Sequence, residues 1–317
     1  IRIDSPPQVP YFINSYAGNS MSGVYLGLMM FAQVPPPYNE GLYRCVTVDL
    51  GEKATLCNAQ EPAPHVNCTT TPMETLTDAV RKAFEAAAPE RVTASWGHAS
   101  GINIAGIDPR TGEQYVTMVL ASIISGAGAT QQMDGWHACG PLCCFGALSS
   151  GDIELLEYQY PILIHKYGLA QDSGGAGRYR GGSGTVWEVE PLGHEMTVIA
   201  FGEGRQIPTM GAADAENGLH EPKLGRLEIV HGADNTTVYT QNTLTHIQPG
   251  QRARNTNPGG GGYGIAFERP VNAVLHDYVQ GLITLEGARL DYGVVITDGE
   301  VDIAATDAVR ATQNIIA

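Results

Sequence analysis

Positive charge is scarce in this chain. Its 317 residues carry 18 lysines and arginines against 33 aspartates and glutamates, a formal charge of −15 at pH 7. Nucleic acids and anionic membrane surfaces are bound through clustered Lys and Arg, so neither is an expected partner. Long apolar runs are missing too: no stretch of about 18 apolar residues offers a transmembrane helix. The nine histidines are scattered, with no HxH or HxxxH pairing. There is no Gly-x-Ser-x-Gly elbow of the serine hydrolases. Two glycine clusters occur, but neither is followed by the Lys-Ser/Thr of a nucleotide phosphate loop. The chain opens on Ile1, without a charged start and apolar leader core. The expectation is a mature or excerpted cytoplasmic chain, with its six cysteines at 45, 57, 68, 139, 143 and 144 reduced. Asn67 and Asn235 match glycosylation acceptors, which a cytoplasmic chain would not use.

What is present suits a folded protein. With 43% hydrophobic and 16% charged residues, the chain can bury a sizeable core as one large domain or two modest ones. The expected class is α+β: a mixed α/β part over 1–165, then an antiparallel β-rich part with glycine-rich loops and a C-terminal helix over 166–317. Residues 18–33 are apolar on most faces and predict a buried helix, ended by the prolines at 35–37. Thr71-Pro72-Met73-Glu74 has a capping hydroxyl, a proline at the first helical position and a glutamate three residues after the cap. Leu76, Ala79, Val80, Ala83, Phe84 and Ala87 follow at helical spacing until Pro89 stops the pattern. The segments 185–189, 196–201, 226–231 and 236–240 are short, β-branched and bounded by turn residues, with a hairpin loop at 232–235. A last helix is expected over 271–283, and DYGVVIT at 291–297 reads as a closing strand or extended segment. No repeat period is visible.

Chemistry-bearing residues concentrate in three places. DSGGAGRYRGG at 172–182 sets Asp172, Arg178 and Arg180 among five glycines. Its arginines could meet a phosphate or carboxylate passing between subunits, since a guanidinium fork suits both. Alternatively, Asp172 pairs with Arg178 or Arg180 and pins a tight loop. NPGGGGYG at 257–264 exposes backbone N–H groups at Gly259, Gly260 and Gly261, which could form an anion nest; the competing reading is a close-packed turn. Finally, His137, Cys139, Cys143 and Cys144 have the side chains of a soft-metal site, but not the spacing of the common zinc patterns. Buried free thiols are the other reading, and no metal is expected on this chain. His65, His98 and His137 lie beside glycine or small residues, where one could face a cavity as an acid–base group; each is otherwise a hydrogen-bonded structural histidine.

Read with Tyr160-Pro161-Ile162 and His165-Lys166-Tyr167 before it, the 172–182 stretch resembles the signature of the hydantoinase B/oxoprolinase family. Four more pieces follow the family's order: SPPQVP at 5–10, PYNEG at 37–41, PGGGGYG at 258–264 and DYGVV at 291–295. The resemblance implies one subunit of an ATP-dependent hetero-oligomer that acts on a small-molecule substrate. ATP and Mg2+ would belong to a hydantoinase A-type partner. A divalent metal, zinc or manganese, would belong to a hydantoinase B segment upstream of the part matched here, so no ligand carries over onto this chain. The implied chemistry is phosphoryl activation of a carbonyl or bicarbonate oxygen. A cyclic amide such as hydantoin, 5-oxoproline or a lactam is then hydrolysed; a ketone carboxylase of the acetone or acetophenone type is the alternative. A non-catalytic scaffold for the nucleotide-binding chain is the third reading.

Overall fold

A computed structural model describes residues 1–32, 37–65, 71–144, 146–214, 224–232 and 235–313. The chain forms two compact units, Ile1–Thr93 and Ala94–Ala317. In the first, α1 (Ala17–Ala32) runs through the expected apolar stretch, a single turn follows as α2 (Glu40–Tyr43), and α3 (Thr71–Glu85) carries the capped sequence. Pro35 and Pro36, expected to end the first helix, lie outside the described residues. Val24 of α1 and Leu76 and Val80 of α3 form a small core, flanked by Ile3, Val48 and Phe84. Thr77 Oγ1 lies 2.9 Å from the Gly23 carbonyl, so a polar bond crosses this interface beside the apolar contacts. Pro89 opens a short 3-10 turn, Pro89–Arg91, so the helix ends before it.

The second unit is built on two antiparallel sheets. Its elements in order are β1 (Ser100–Ile107), β2 (Gln114–Met118), α4 (Ile153–Gln159), β3 (Ile162–Leu169), β4 (Thr185–Pro191), β5 (Met196–Gly202), β6 (Arg226–Gly232), β7 (Asn235–Tyr239), β8 (Thr243–Ile247) and β9 (Arg252–Thr256). Strands β2-β1-β5-β8 make one sheet and β3-β4-β9-β6-β7 the other. One core joins them: Ile102, Ile104, Met196, Val198, Ala200 and Ile247 from the first sheet, and Ile162, Trp187, Val189, Leu227, Ile229 and Ala253 from the second. The four expected strand segments are β4, β5, β6 and β7, each within two residues of its expected ends. Gly232 pairs with Asn235 at the β6–β7 turn; Ala233 and Asp234 lie outside the described residues. Residue 165, the last of the expected first part, lies inside β3.

Helices close the chain: α5 (Val271–Val279), α6 (Leu285–Tyr292) and α7 (Ile303–Gln313), with a two-residue β10–β11 hairpin (Ile296–Thr297, Glu300–Val301) between the last two. Two expectations are corrected here. The helix expected over 271–283 stops at Val279, because Gly281 turns the chain at φ +72° and Thr284 caps a new helix through the Gly287 N–H, 2.9 Å away. The closing strand or extended segment expected over 291–297 is helical at Asp291 and Tyr292, the end of α6, and leaves the helix from Gly293, with β10 at Ile296–Thr297. Tyr292 is 1% exposed in the core with Val274, Ile283, Ala288 and Val294. Gly293 then ends α6 in the left-handed region (φ 63°), its N–H bonded to the Arg289 carbonyl. Among the described residues, no helix is long and apolar enough to cross a membrane.

Candidate functional site

The two glycine-rich segments meet, and they meet backbone to backbone. Gly175 N–H donates to Gly260 O (2.8 Å), Gly260 N–H to Gly182 O (2.9 Å), Gly182 N–H to Ala127 O (2.8 Å) and Gly259 N–H to Ser173 O (3.1 Å). Tyr179 and Tyr263 exchange both of their backbone bonds, at 3.0 and 2.9 Å. Two further extended runs complete the bundle: Ala129 N–H reaches Gly261 O at 3.0 Å, and Gly261 N–H reaches Ser95 O at 2.7 Å. A Cβ on Gly181 would overlap the Gly260 carbonyl, and one on Gly260 would overlap the Ala127 carbonyl. Glycine is required here for close approach. The amides of Gly259, Gly260 and Gly261, candidates for holding a phosphate, are all spent on backbone carbonyls. They therefore fit the close-packed reading rather than an open anion nest, and ATP has no such cradle on them.

An ionic cluster fastens this bundle to the C-terminal helices. Arg180, 3% exposed, leaves the glycine loop and places Nε 3.1 Å from Asp277 Oδ2 on α5. Arg269, just before α5, puts Nη2 2.8 Å from the same oxygen. Arg269 also grips Asp134 with two bonds of 2.7 Å, and Asp134 Oδ1 accepts the Arg180 backbone N–H at 2.7 Å. Two guanidinium groups thus face two carboxylates and the set is neutral, so a free cation for a passing phosphate is not offered at Arg180. Burial alone would raise the Asp134 pKa; its bonds to Arg269 and the charge of Arg180 outweigh that and hold it below the ordinary carboxylate value.

Asp172 does not pair with either arginine of its own loop, as one reading expected. Its φ is +54°, and its Oδ1 accepts the Thr284 N–H at 2.7 Å, fixing the start of α6. Arg178 points outward, 57% exposed, 3.8 Å from the similarly exposed Glu268. Asp134, Arg269 and Asp277 were not singled out from the sequence. Asp134 and Arg269 lie 135 residues apart, Arg180 and Asp277 lie 97 apart, and no local spacing signals such partners.

His137 sits beside the cluster with Nδ1 accepting the Ser183 N–H at 3.0 Å and Nε2 3.5 Å from Arg180 Nη2. Burial first, and the neighbouring guanidinium second, push its pKa below that of a free imidazole. A cation held by His137 would meet that guanidinium, so the ring does not suit a metal. Cys139 Sγ lies 3.6 Å from the His137 carbonyl, with its pKa raised by burial, the setting of an inert thiol rather than a nucleophile. The sulfurs of Cys143 and Cys144 lie 3.8 Å apart. Among the described residues, no three His, Cys, Asp or Glu side chains come together as a metal-holding set. His98 lies apart from these groups, 8% exposed, with Nδ1 3.5 Å from Glu203 Oε2; His65 stacks edge-on against Tyr16.

The lowered pKa of His137 has a signed consequence. The unfolded chain takes up a proton near pH 6.5, whereas the folded chain resists it until lower pH. The histidine therefore costs nothing above about pH 6.5 and destabilises the fold as pH falls from there. Thermal unfolding followed between pH 7.5 and pH 5 should show part of the acid loss disappear in His137→Gln. An unchanged pH profile would refute this.

Comparison with known proteins supports the family resemblance read from the motifs. Residues 3–266 match the Hydantoinase B/oxoprolinase family. The chain is 72% identical over 313 residues to the beta subunit of the caprolactamase of Pseudomonas jessenii, a match that covers 98% of this chain and 54% of that protein. It is 31% identical over 278 residues to the B-type subunit of a putative D-/L-hydantoinase from Pseudomonas sp. (strain NS671), covering 86% of this chain and 45% of that protein. The crystal structure of the ATP-dependent caprolactamase from Pseudomonas jessenii superposes with a TM-score of 0.88 at 67% identity, over 98% of this chain and 54% of that one. This chain thus spans about half the length of the relatives it matches. With the match over 3–266 and the glycine motifs locked together as described, the chain belongs to the Hydantoinase B/oxoprolinase family.

Proposed function

We propose that this chain is the hydantoinase B-type part of a multi-subunit enzyme that uses ATP to open a cyclic amide, with a lactam such as caprolactam as the substrate class. The observation that carries this reading is the 72% identity to a caprolactamase chain over 98% of this one. Transfer of the terminal phosphoryl group of ATP to the ring carbonyl oxygen releases ADP. Water then adds to the activated carbon, the ring C–N bond breaks to free the amine, and phosphate departs to leave the carboxylate of the amino acid. ATP with Mg2+ is held by a hydantoinase A-type partner, and a zinc or manganese ion by the hydantoinase B segment upstream of the matched part. This chain's own contribution is positional. The amides of Gly259, Gly260 and Gly261 are spent on backbone carbonyls and the arginine–aspartate cluster is neutral; together they hold neighbouring loops in fixed places.

The test is reconstitution of the complete complex with ATP, supplied in turn with caprolactam, 5-oxoproline, hydantoin, and a ketone with bicarbonate. Ring-opened amino acid should form from the lactam, only with ATP, and only when this chain is present. Turnover restricted to ketone plus bicarbonate would replace the hydrolase reading with a carboxylase. Full lactam hydrolysis by a complex lacking this chain would remove it from the enzyme.

A further inference from the structure

Five of the six cysteines lie among the described residues, and two of those are neighbours in the chain. Cys57 and Cys139 are buried, and burial raises the pKa of each. Cys45 is exposed, with its Sγ 3.3 Å from the Leu42 carbonyl. Cys143 and Cys144 differ from all three. Both are half-buried, and their sulfurs are 3.8 Å apart, so that one S–H meets the other sulfur. The turn that carries them is tied at its base. The Cys139 and Gly140 N–H groups both donate to the Ser125 carbonyl, at 2.8 and 3.1 Å. Cys144 N–H donates to Pro141 O at 3.0 Å, and Ala147 N–H to Cys144 O at 2.8 Å. Leu142 on this turn is buried, whereas Gly146 and Ala147 are exposed. The two thiols are therefore presented together on an anchored backbone, at the edge of an open loop.

Two sulfurs in contact can take a bond between them or an atom between them. A direct bond suits this pair poorly. The α-carbons of consecutive residues stand about 3.8 Å apart across a trans peptide, whereas a disulfide prefers about 4.4–6.8 Å. A bridging atom leaves the sulfurs near their present separation. Atoms that seek two thiolates are soft ones. Zinc is not served here, because it wants four ligands, and among the described residues no three His, Cys, Asp or Glu side chains gather. A trivalent arsenic with one carbon substituent has two positions left, and two sulfurs fill them. We propose that Cys143 and Cys144 form a chelating dithiol site for monosubstituted trivalent arsenicals, with one arsenic bridging the two sulfurs. With an arsenoxide, two As–S bonds form and the As–O linkage breaks; the two thiol protons leave with that oxygen as one water. Arsenic stays trivalent, and no electrons are exchanged. The inference does not depend on the reaction proposed above.

Phenylarsine oxide serves as the probe. The full-length protein is reduced, freed of reductant and given an equimolar amount of the probe at slightly alkaline pH, where thiols ionise more readily. The mass of the denatured chain is then read. It should rise by one phenylarsenic bridge less two protons. The adduct is next challenged with mercaptoethanol, a monothiol. A second sulfur on the same turn acts at high effective concentration, so the unaltered chain should need at least about 100-fold more mercaptoethanol for release than Cys143→Ser or Cys144→Ser. Dimercaptopropanol, itself a chelating dithiol, should strip the unaltered chain where mercaptoethanol does not. Cys45→Ser, which changes an exposed thiol outside the pair, should behave as the unaltered chain. Either serine variant of the pair decides the matter, so one that fails to fold leaves the other, and thermal unfolding shows which is folded. Equal release by mercaptoethanol from the unaltered chain and from a folded serine variant, or no adduct on the unaltered chain, would overturn the proposal.

Discussion

Gly260→Ala is expected to leave almost no folded protein. The new methyl group would overlap the Ala127 carbonyl and crowd the Gly128 amide, both backbone atoms, and the carbonyl is held in place by the Gly182 N–H. A flexible side chain can swing aside, but a carbonyl in a four-stretch bundle cannot move without breaking bonds on both sides. The cost should exceed about 4 kcal/mol, beyond the usual range for a single substitution. Soluble yield and the urea midpoint are the measurements. Gly168→Ala is the comparison: no heavy atom lies within 4 Å of the added Cβ, so its midpoint should shift by less than about 1 kcal/mol. Near-equal stability of the two variants would refute the close-packed bundle. Loss of activity in a poorly folded Gly260 variant says nothing about phosphate binding, so turnover must be normalised to folded protein.

Asp277→Ala is the second large effect. Its carboxylate is 3% exposed and answers both Arg180 and Arg269. Removing it strands Arg180, whose remaining side-chain partners, the Gly181 carbonyl at 2.6 Å and His137 Nε2 at 3.5 Å, carry no negative charge, while Arg269 keeps Asp134. Breaking a buried pair from one side costs about 3–5 kcal/mol, because the desolvated partner remains. Denaturant unfolding of the purified protein measures it. Adding Arg180→Met to the same chain should recover part of the loss, because it removes the stranded charge. A double variant weaker by the full sum of the two single losses would mean that the two groups do not interact.

Local chemistry made much of the fold legible. β4 to β7 could be read because β-branched runs sit between turn residues, and α3 because a capping hydroxyl, a proline and a glutamate fall at fixed offsets. The split between α5 and α6 was missed because apolar residues continue through Leu282 and Ile283, although Gly281 and the Thr284 cap mark the break. Tyr292 was placed in an extended segment by its neighbours Val294 and Val295, whereas burial of its ring in the C-terminal core decides for helix. The candidate site was legible only as ingredients. The glycine runs announced tight backbone, but which runs meet depends on contacts between residues tens of positions apart. The partners of Arg180 and Arg269 carry no local pattern, and Asp172, the nearest acid in sequence, serves a helix start instead.

The glycine bundle also bears on how this protein can change over generations. In an ordinary core, an enlarged residue can be offset by a smaller one next to it, so second-site suppressors are found among the neighbours. Around Gly181, Gly182 and Gly260 the nearest neighbours are peptide carbonyls, which no codon change can shrink. Selection for revertants of a Gly260 variant should therefore return the original glycine rather than a compensating replacement, leaving this part of the chain with almost no neutral routes open to it.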